Sequence, residues 1–276
     1  MKLLIIGGKG MAGHMLVKYF KQRKNYVVAY TSRNQKDRDG YFLDVRDYSR
    51  LVDLFETFQP NIIINAVGLL NQQASQNKMT TIQVNSLLPH LLANLAEKSG
   101  GKFIHISTDC VFSGKRGDYK EMDLLDGISD YAKSKALGEV ISSNHLTIRT
   151  SIIGPELKND GIGLFRWFMK QQGEIKGYKN VLWNGVTTLE LAKAIEQMIE
   201  QNITGLYQLG SVNKISKYDL LTLIQEVFEK RDVQIIPDTE IILDRTIQNT
   251  RADFQYSLPN YREMLMELRD WMETRK

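Results

Sequence analysis

The sequence predicts an α/β protein: a doubly wound parallel sheet with a smaller lobe formed by the C-terminal part. Three observations carry this. The apolar run from Lys2 to Ile6 leads directly into a glycine-rich turn and a helix. Short apolar runs and amphipathic stretches then alternate six times, down to Leu146-Thr-Ile-Arg149. After Thr150 that rhythm stops, and a stretch rich in Gly and aromatic residues follows.

The first run has the character of a central strand buried on both faces. Gly7-x-x-Gly10-Met11-Ala12-Gly13 comes next, and Met15, Leu16, Tyr19 and Phe20 mark the apolar side of a helix. Glycines at this point permit a tight turn, close backbone approach to a pyrophosphate, and tight helix–strand packing, with the anion at the helix N-terminus. Tyr26 to Tyr30 reads as the second strand and ends near Ser32 and Arg33. A hydroxyl and a guanidinium there, with Lys36 following, suit the extra phosphate of NADPH. Asp37 or Asp39 could instead serve a ribose hydroxyl, which leaves NADH open.

Tyr41 to Val45 is expected to be a third strand with a polar end at Asp44 and Val45. Tyr48 to Phe58 is an amphipathic helix stopped by Pro60. Asn61 to Gly68 is a fourth buried strand, whose end (Asn65, Ala66, Val67, Gly68) should line the coenzyme's nicotinamide side. Thr80 to Lys98 has a long helical pattern in which Pro89 predicts a kink or break. Past Thr150, one helix is expected around Leu164 to Gln172 in an otherwise irregular stretch reaching Val186. Thr187-Thr-Leu-Glu190 forms a capping box opening a helix to Glu200. Leu206 to Leu209 is a short strand expected to rejoin the main sheet. Ser216 to Asp219 caps another helix, to about Lys230, and Leu258-Pro259 precedes a last one.

Phe103 to Glu139 carries the chemistry. A strand ends by presenting Ser107, Thr108 and Asp109, and a helix then starts with Tyr131 and Lys135 one turn apart on one face. A phenol, an ammonium and a hydroxyl are what a carbonyl reductase needs: a proton donor, a cation that lowers its pKa, and a group to hold the carbonyl oxygen. With 12 Tyr in the chain, roughly one Tyr-x-x-x-Lys is expected by chance, so the spacing gains its meaning from context. The alternative is a surface helix with a packed Tyr and a solvated Lys.

The bulk numbers fit. The chain has 276 residues and a formal charge of +4 without a basic stripe, which speaks against nucleic acid. The single Cys110 fits a reducing compartment. The first apolar run is too short for a signal peptide, and Ile62 to Leu70, interrupted by Asn65, is too short for a membrane span. These features suggest a cytoplasmic protein without membrane partners.

The combination of Gly7-x-x-Gly10-x-x-Gly13, Asn65-Ala-Val-Gly68, Ser107-Thr108-Asp109-Cys110-Val111-Phe112-x-Gly114 and Tyr131-x-x-x-Lys135-x-x-Gly138-Glu139 resembles the extended short-chain dehydrogenase/reductases. Within them it is most similar to the dTDP-4-dehydrorhamnose reductase family. The resemblance implies a Rossmann-type coenzyme domain over 1–150 and a substrate lobe mainly over 151–276, with about 187–210 returning to the sheet. It implies a catalytic group of Thr108, Tyr131 and Lys135, with Lys135 also on the ribose hydroxyls, NADPH as coenzyme, a nucleotide-sugar substrate and no catalytic metal, and it leaves a homodimer open. The implied reaction reduces a 4-keto deoxysugar for cell-surface polysaccharide precursors of bacterial type. Cys110 stands where an aromatic residue is usual, prolines common before the Tyr are missing, and Trp183-Asn-Gly-Val186-Thr187 replaces a proline-containing turn. These departures keep two other readings in view: a reductase or 4-epimerase of UDP-linked 4-keto N-acetylhexosamines, and a coenzyme-binding regulatory subunit without catalysis.

Overall fold

The computed structural model describes residues 1–158 and 161–274. Its elements run β1 (Lys2–Ile6), α1 (Met11–Phe20), β2 (Val27–Ser32), β3 (Tyr41–Phe42), α2 (Tyr48–Phe58), β4 (Ile62–Asn65), α3 (Asn71–Gln76), α4 (Lys78–Thr81), a π-helical segment (Ile82–Leu87), α5 (Leu88–Lys98), β5 (Lys102–Ile106), α6 (Asp130–Leu137), β6 (Leu146–Thr150) and β7 (Ile152–Ile153). There follow α7 (Leu164–Met169), β8 (Gly173–Tyr178), β9 (Val181–Trp183), β10 (Val186–Thr187), α8 (Thr188–Glu200), β11 (Gly205–Leu209), β12 (Ile215–Ser216), α9 (Lys217–Val227), β13 (Val233–Asp238), β14 (Leu243–Asp244) and α10 (Tyr261–Glu273).

Seven strands form one parallel sheet in the order β11-β6-β5-β4-β1-β2-β3. The alternation inside β1 shows why the sheet needs helices on both faces. Leu3 and Ile5 pack with α1 and α8 on one side. Leu4 and Ile6 pack with α2 and α5 on the other. The chain leaves β1 toward β2 and later returns to β1's other edge as β4, so a crevice opens at the carboxyl ends of these strands.

The helix boundaries of α2 match the sequence pattern. The third strand is shorter than expected, two residues rather than five. The long pattern before Lys98 does break, by widening into a π turn ahead of Pro89 instead of a sharp kink. Only half of the expected capping box at α8 forms: Thr187 accepts from the Glu190 amide, but the Glu190 side chain turns to Tyr256 and Lys193. The expectation of an irregular stretch up to Val186 is corrected. It contains β8, which pairs in parallel with β13, and β9, which pairs with β12 and β14. These strands and α9 enclose a separate apolar cluster of Phe165, Phe168, Trp183, Leu220 and Ile224. Among the described residues, no helix is long and apolar enough to cross a membrane.

Candidate active site

Two neighbourhoods meet at the carboxyl end of the sheet. The first is a cleft of about 630 Å³. Of the residues expected around the coenzyme, Gly7, Gly10, Ser32, Arg33, Asp44, Val45, Ala66, Val67 and Gly68 line it. Met11, Ala12 and Gly13 lie just beyond, in the first turn of α1. Gly7 has a positive φ of 87°, and a β-carbon on Gly13 would come within 2.1 Å of the Gly7 carbonyl oxygen. The turn therefore depends on both. The N-cap Gly10 contributes no side-chain hydrogen bond, and no acid occupies the first turn, so its amides are free of a competing side chain. That arrangement fits a dinucleotide's pyrophosphate.

At the far end, Arg33 is exposed and has no ion-pair partner among the described residues. Arg46 holds Asp44 at 3.0 and 2.5 Å, and this pairing draws the Asp44 carboxyl down to about 2. Asp37, one of the two acids considered for the ribose, is engaged by the Tyr30 hydroxyl at 3.0 Å and Lys9 at 3.2 Å. The sequence reading missed Arg46, Lys9 and Lys158 as lining residues. Lys158 belongs to a loop remote in sequence, and nothing local announces it.

The second neighbourhood holds Thr108, Tyr131 and Lys135, the group expected from the sequence to carry the chemistry. Ser129 caps α6 by accepting from the Ala132 amide at 3.0 Å. The helix is clamped to the π segment: Asn85 donates to the Ser134 hydroxyl at 3.0 Å, and Ser86 donates to the Ser134 carbonyl at 2.9 Å. The π turn thus aims Asn85 between α6 and Leu69, whose amide and carbonyl it also satisfies. The Pro89 break was the one sequence sign of it.

The Thr108 hydroxyl lies beside the Tyr131 phenol. Burial raises the Tyr131 pKa, helped by neighbouring Cys110, while the Thr108 contact opposes the rise. Lys135 is buried; its Nζ donates to the Ile106 carbonyl at 2.8 Å and lies 3.0 Å from His105 Nε2. Burial pulls Lys135 down to about 8, against the nearby Glu139 carboxylate.

Ser107 turns away from Thr108 and donates to Glu139 at 2.7 Å. Arg149 grips the same carboxylate at 2.8 and 2.7 Å and reaches the Glu121 carbonyl at 2.9 Å. Asn65 also turns inward and is fully buried, leaving Ala66, Val67 and Gly68 to line the cleft. From the C-terminal part, Lys217 and Arg245 approach Asp109 and Cys110; the Lys217 Nζ sits 4.9 Å from the Trp183 ring centroid. Burial lifts Asp109 above the usual carboxylate range and the Cys110 thiol to about 12. Asn184, in the turn that replaces a proline-containing one, is used up in pinning Ser211 and Ile247.

A glycine-turn cleft beside a Thr, Tyr and Lys group on a doubly wound sheet defines a reductase of the short-chain type. Residues 1–270 match the family model described as RmlD substrate binding domain, and the chain belongs to that family. The dTDP-4-dehydrorhamnose reductase of Aggregatibacter actinomycetemcomitans is 26% identical, covering 86% of this chain and 82% of that protein. Methionine adenosyltransferase 2 subunit beta of Danio rerio is 24% identical over 87% of this chain and 75% of its own. In fold, the chain is similar to the dTDP-4-dehydrorhamnose reductase of Bacillus anthracis, solved in complex with NADP, with a TM-score of 0.84, 20% identity and 99% of each chain covered. The resemblance read from the sequence stands, as does the oxidoreductase class it implied.

Proposed function

We propose that this chain reduces the 4-keto group of a nucleotide-linked deoxysugar with NADPH, as a step toward cell-surface polysaccharide precursors. One observation carries the reading: the Thr108 hydroxyl adjoins the Tyr131 phenol, with Lys135 buried one helical turn away, at the strand end beside the glycine-turn cleft. The bound coenzyme supplies the hydride. Tyr131 gives its proton to the oxygen that gains charge, and its raised pKa keeps that proton in place at neutral pH. Thr108 donates a hydrogen bond to the same oxygen. Lys135, as an ammonium, stabilises the phenolate left behind. Gly7, Gly10 and the first turn of α1 hold the pyrophosphate, and Ser32 and Arg33 face the adenosine end, where Arg33 supports NADPH over NADH.

The test is NADPH consumption against a panel of dTDP- and UDP-linked 4-keto sugars. Tyr131→Phe should keep fold and coenzyme affinity and lose about two to four orders of magnitude in turnover. Thr108→Val should cost less. Turnover by Tyr131→Phe near the parental rate would end the catalytic reading. Coenzyme binding without turnover on any sugar would favour the regulatory-subunit reading.

A further inference from the structure

A chain of four groups runs inward from the cleft wall to Lys135. It starts at a fixed donor. The Val67 amide donates to Asn65 Oδ1 at 3.1 Å, and a backbone N–H cannot reverse its direction. Asn65 must therefore present its amide nitrogen on the other side, where it meets His105 Nδ1 at 3.2 Å. An amide nitrogen only donates, so Nδ1 accepts and carries no proton. The one proton of the neutral imidazole is then on Nε2, which faces Lys135 Nζ at 3.0 Å. Nζ also donates to the Ile106 carbonyl at 2.8 Å. A neutral amine satisfies this geometry, accepting from Nε2–H through its lone pair while donating to Ile106. An ammonium has no lone pair and would set donor against donor.

We infer that Asn65 locks His105 as the Nε2–H tautomer, and that His105 thereby acts as a positioning residue holding Lys135 as a neutral amine in the coenzyme-free protein. To work as an ammonium, Lys135 must take up a proton and give up the His105 bond. The groups facing this pair are few. His105 is fully buried, stacked on Phe103 with ring centroids 6.0 Å apart, and faces Lys135 from α6 and His90 from α5. Burial, reinforced by those two neighbours, keeps its imidazole neutral. Lys135 faces His105 and Glu139, whose carboxylate alone favours the ammonium, and Tyr131 lies one turn before it on the same helix. A locked donor against the amine adds to the effect of burial.

The tautomer assignment needs neither coenzyme nor substrate; its catalytic meaning rests on the reductase reading. Nitrogen-15 NMR of the full chain labelled at its four histidines reads it directly. His105 should show a protonated Nε2 and a bare Nδ1, unchanged from about pH 6 to pH 9 across the usual histidine pKa. A protonated Nδ1, or a signal that titrates to imidazolium, overturns the inference. Asn65→Asp should reverse the tautomer, because a carboxylate accepts from both the Val67 amide and Nδ1–H. Nε2 then accepts from a Lys135 ammonium. Calorimetry of NADPH binding at pH 8 in two buffers should accordingly find proton uptake in the parent and at least a twofold smaller uptake in Asn65→Asp. Equal uptake would overturn the Lys135 part. An Nε2–H tautomer in a protein that reduces no sugar would leave the lock standing and sink the proposed function instead.

Discussion

Alanine at Gly10 and at Gly13 should separate the ligand cradle from the turn that builds it. A β-carbon on Gly13 would lie 2.1 Å from the Gly7 carbonyl oxygen and 2.9 Å from its carbon. Both are backbone atoms, so no side chain can swing aside and the β1–α1 turn itself must shift. That is overpacking at its severe end, about 3 kcal/mol. In a chain of this size it corresponds to a fall in Tm of roughly 6–12 °C. At Gly10 the nearest atom to a new β-carbon would be the same oxygen at 3.4 Å, and φ is −74°, open to any residue. The fold should lose under about 1 kcal/mol there, the scale of a changed N-cap. The methyl would nevertheless stand in the cleft, between the Gly7 and Ala66 carbonyls, where a pyrophosphate must come close to the helix terminus. Gly10→Ala is therefore expected to lose roughly tenfold or more in NADPH affinity, about 1.4 kcal/mol, with Tm lowered by less than roughly 4 °C. Thermal melts by circular dichroism and titration of coenzyme fluorescence measure the two effects. Parental affinity in Gly10→Ala, or a parental melt in Gly13→Ala, would refute the assignment of these two roles.

Three further outcomes are expected. Arg33→Ala should weaken NADPH binding by roughly tenfold to a hundredfold, the worth of a charge-assisted phosphate contact, and leave NADH nearly unchanged; equal parental affinities for both coenzymes would contradict it. Arg149→Met strands the buried Glu139 carboxylate and should destabilise the fold by about 3–5 kcal/mol in urea unfolding, with much of the loss recovered in the double variant Arg149→Met, Glu139→Leu. Because the Tyr131 pKa is raised, the donor is protonated below that value and lost above it, so the reduction rate should be flat through neutrality and fall only in alkali; a fall beginning below about pH 7 would exclude Tyr131 as the acid.

Much of the sheet was legible because its strands are buried on both faces and leave almost unbroken apolar runs, as Leu3 to Ile6 and Ile62 to Ile64 do. The lobe strands were not. In β8, Gly173, Glu174 and Lys176 are exposed and only Gly177 is buried, so one face carries the charge of an ordinary loop. Its partner β13 lies sixty residues on and ends in Pro237-Asp238. Neither segment alternates cleanly in burial, although α9 packs on both. Their pairing is a long-range fact that no local period encodes.

The site divides along the same physical line. Tyr131 and Lys135 share a helix face, a local relation that spacing alone can express. Thr108 joins them because a parallel strand must deliver its end to the crevice. The polar residues that hold this group in place read differently. His105, Arg149 and Asn65 sit inside buried strands, where a sequence gives no sign of whether a polar side chain meets water, ligand or another buried group. Asn65 illustrates the consequence. Its place at a strand end made it a coenzyme-lining residue by position, yet the adjacent Val67 amide captures its carbonyl oxygen and turns its nitrogen toward His105. A buried polar group must find its partner somewhere, and here that requirement links the cleft wall to Lys135. The candidate site residues Tyr131 and Lys135 can be read from spacing, while the buried partners around them depend on which donors the folded backbone has already fixed.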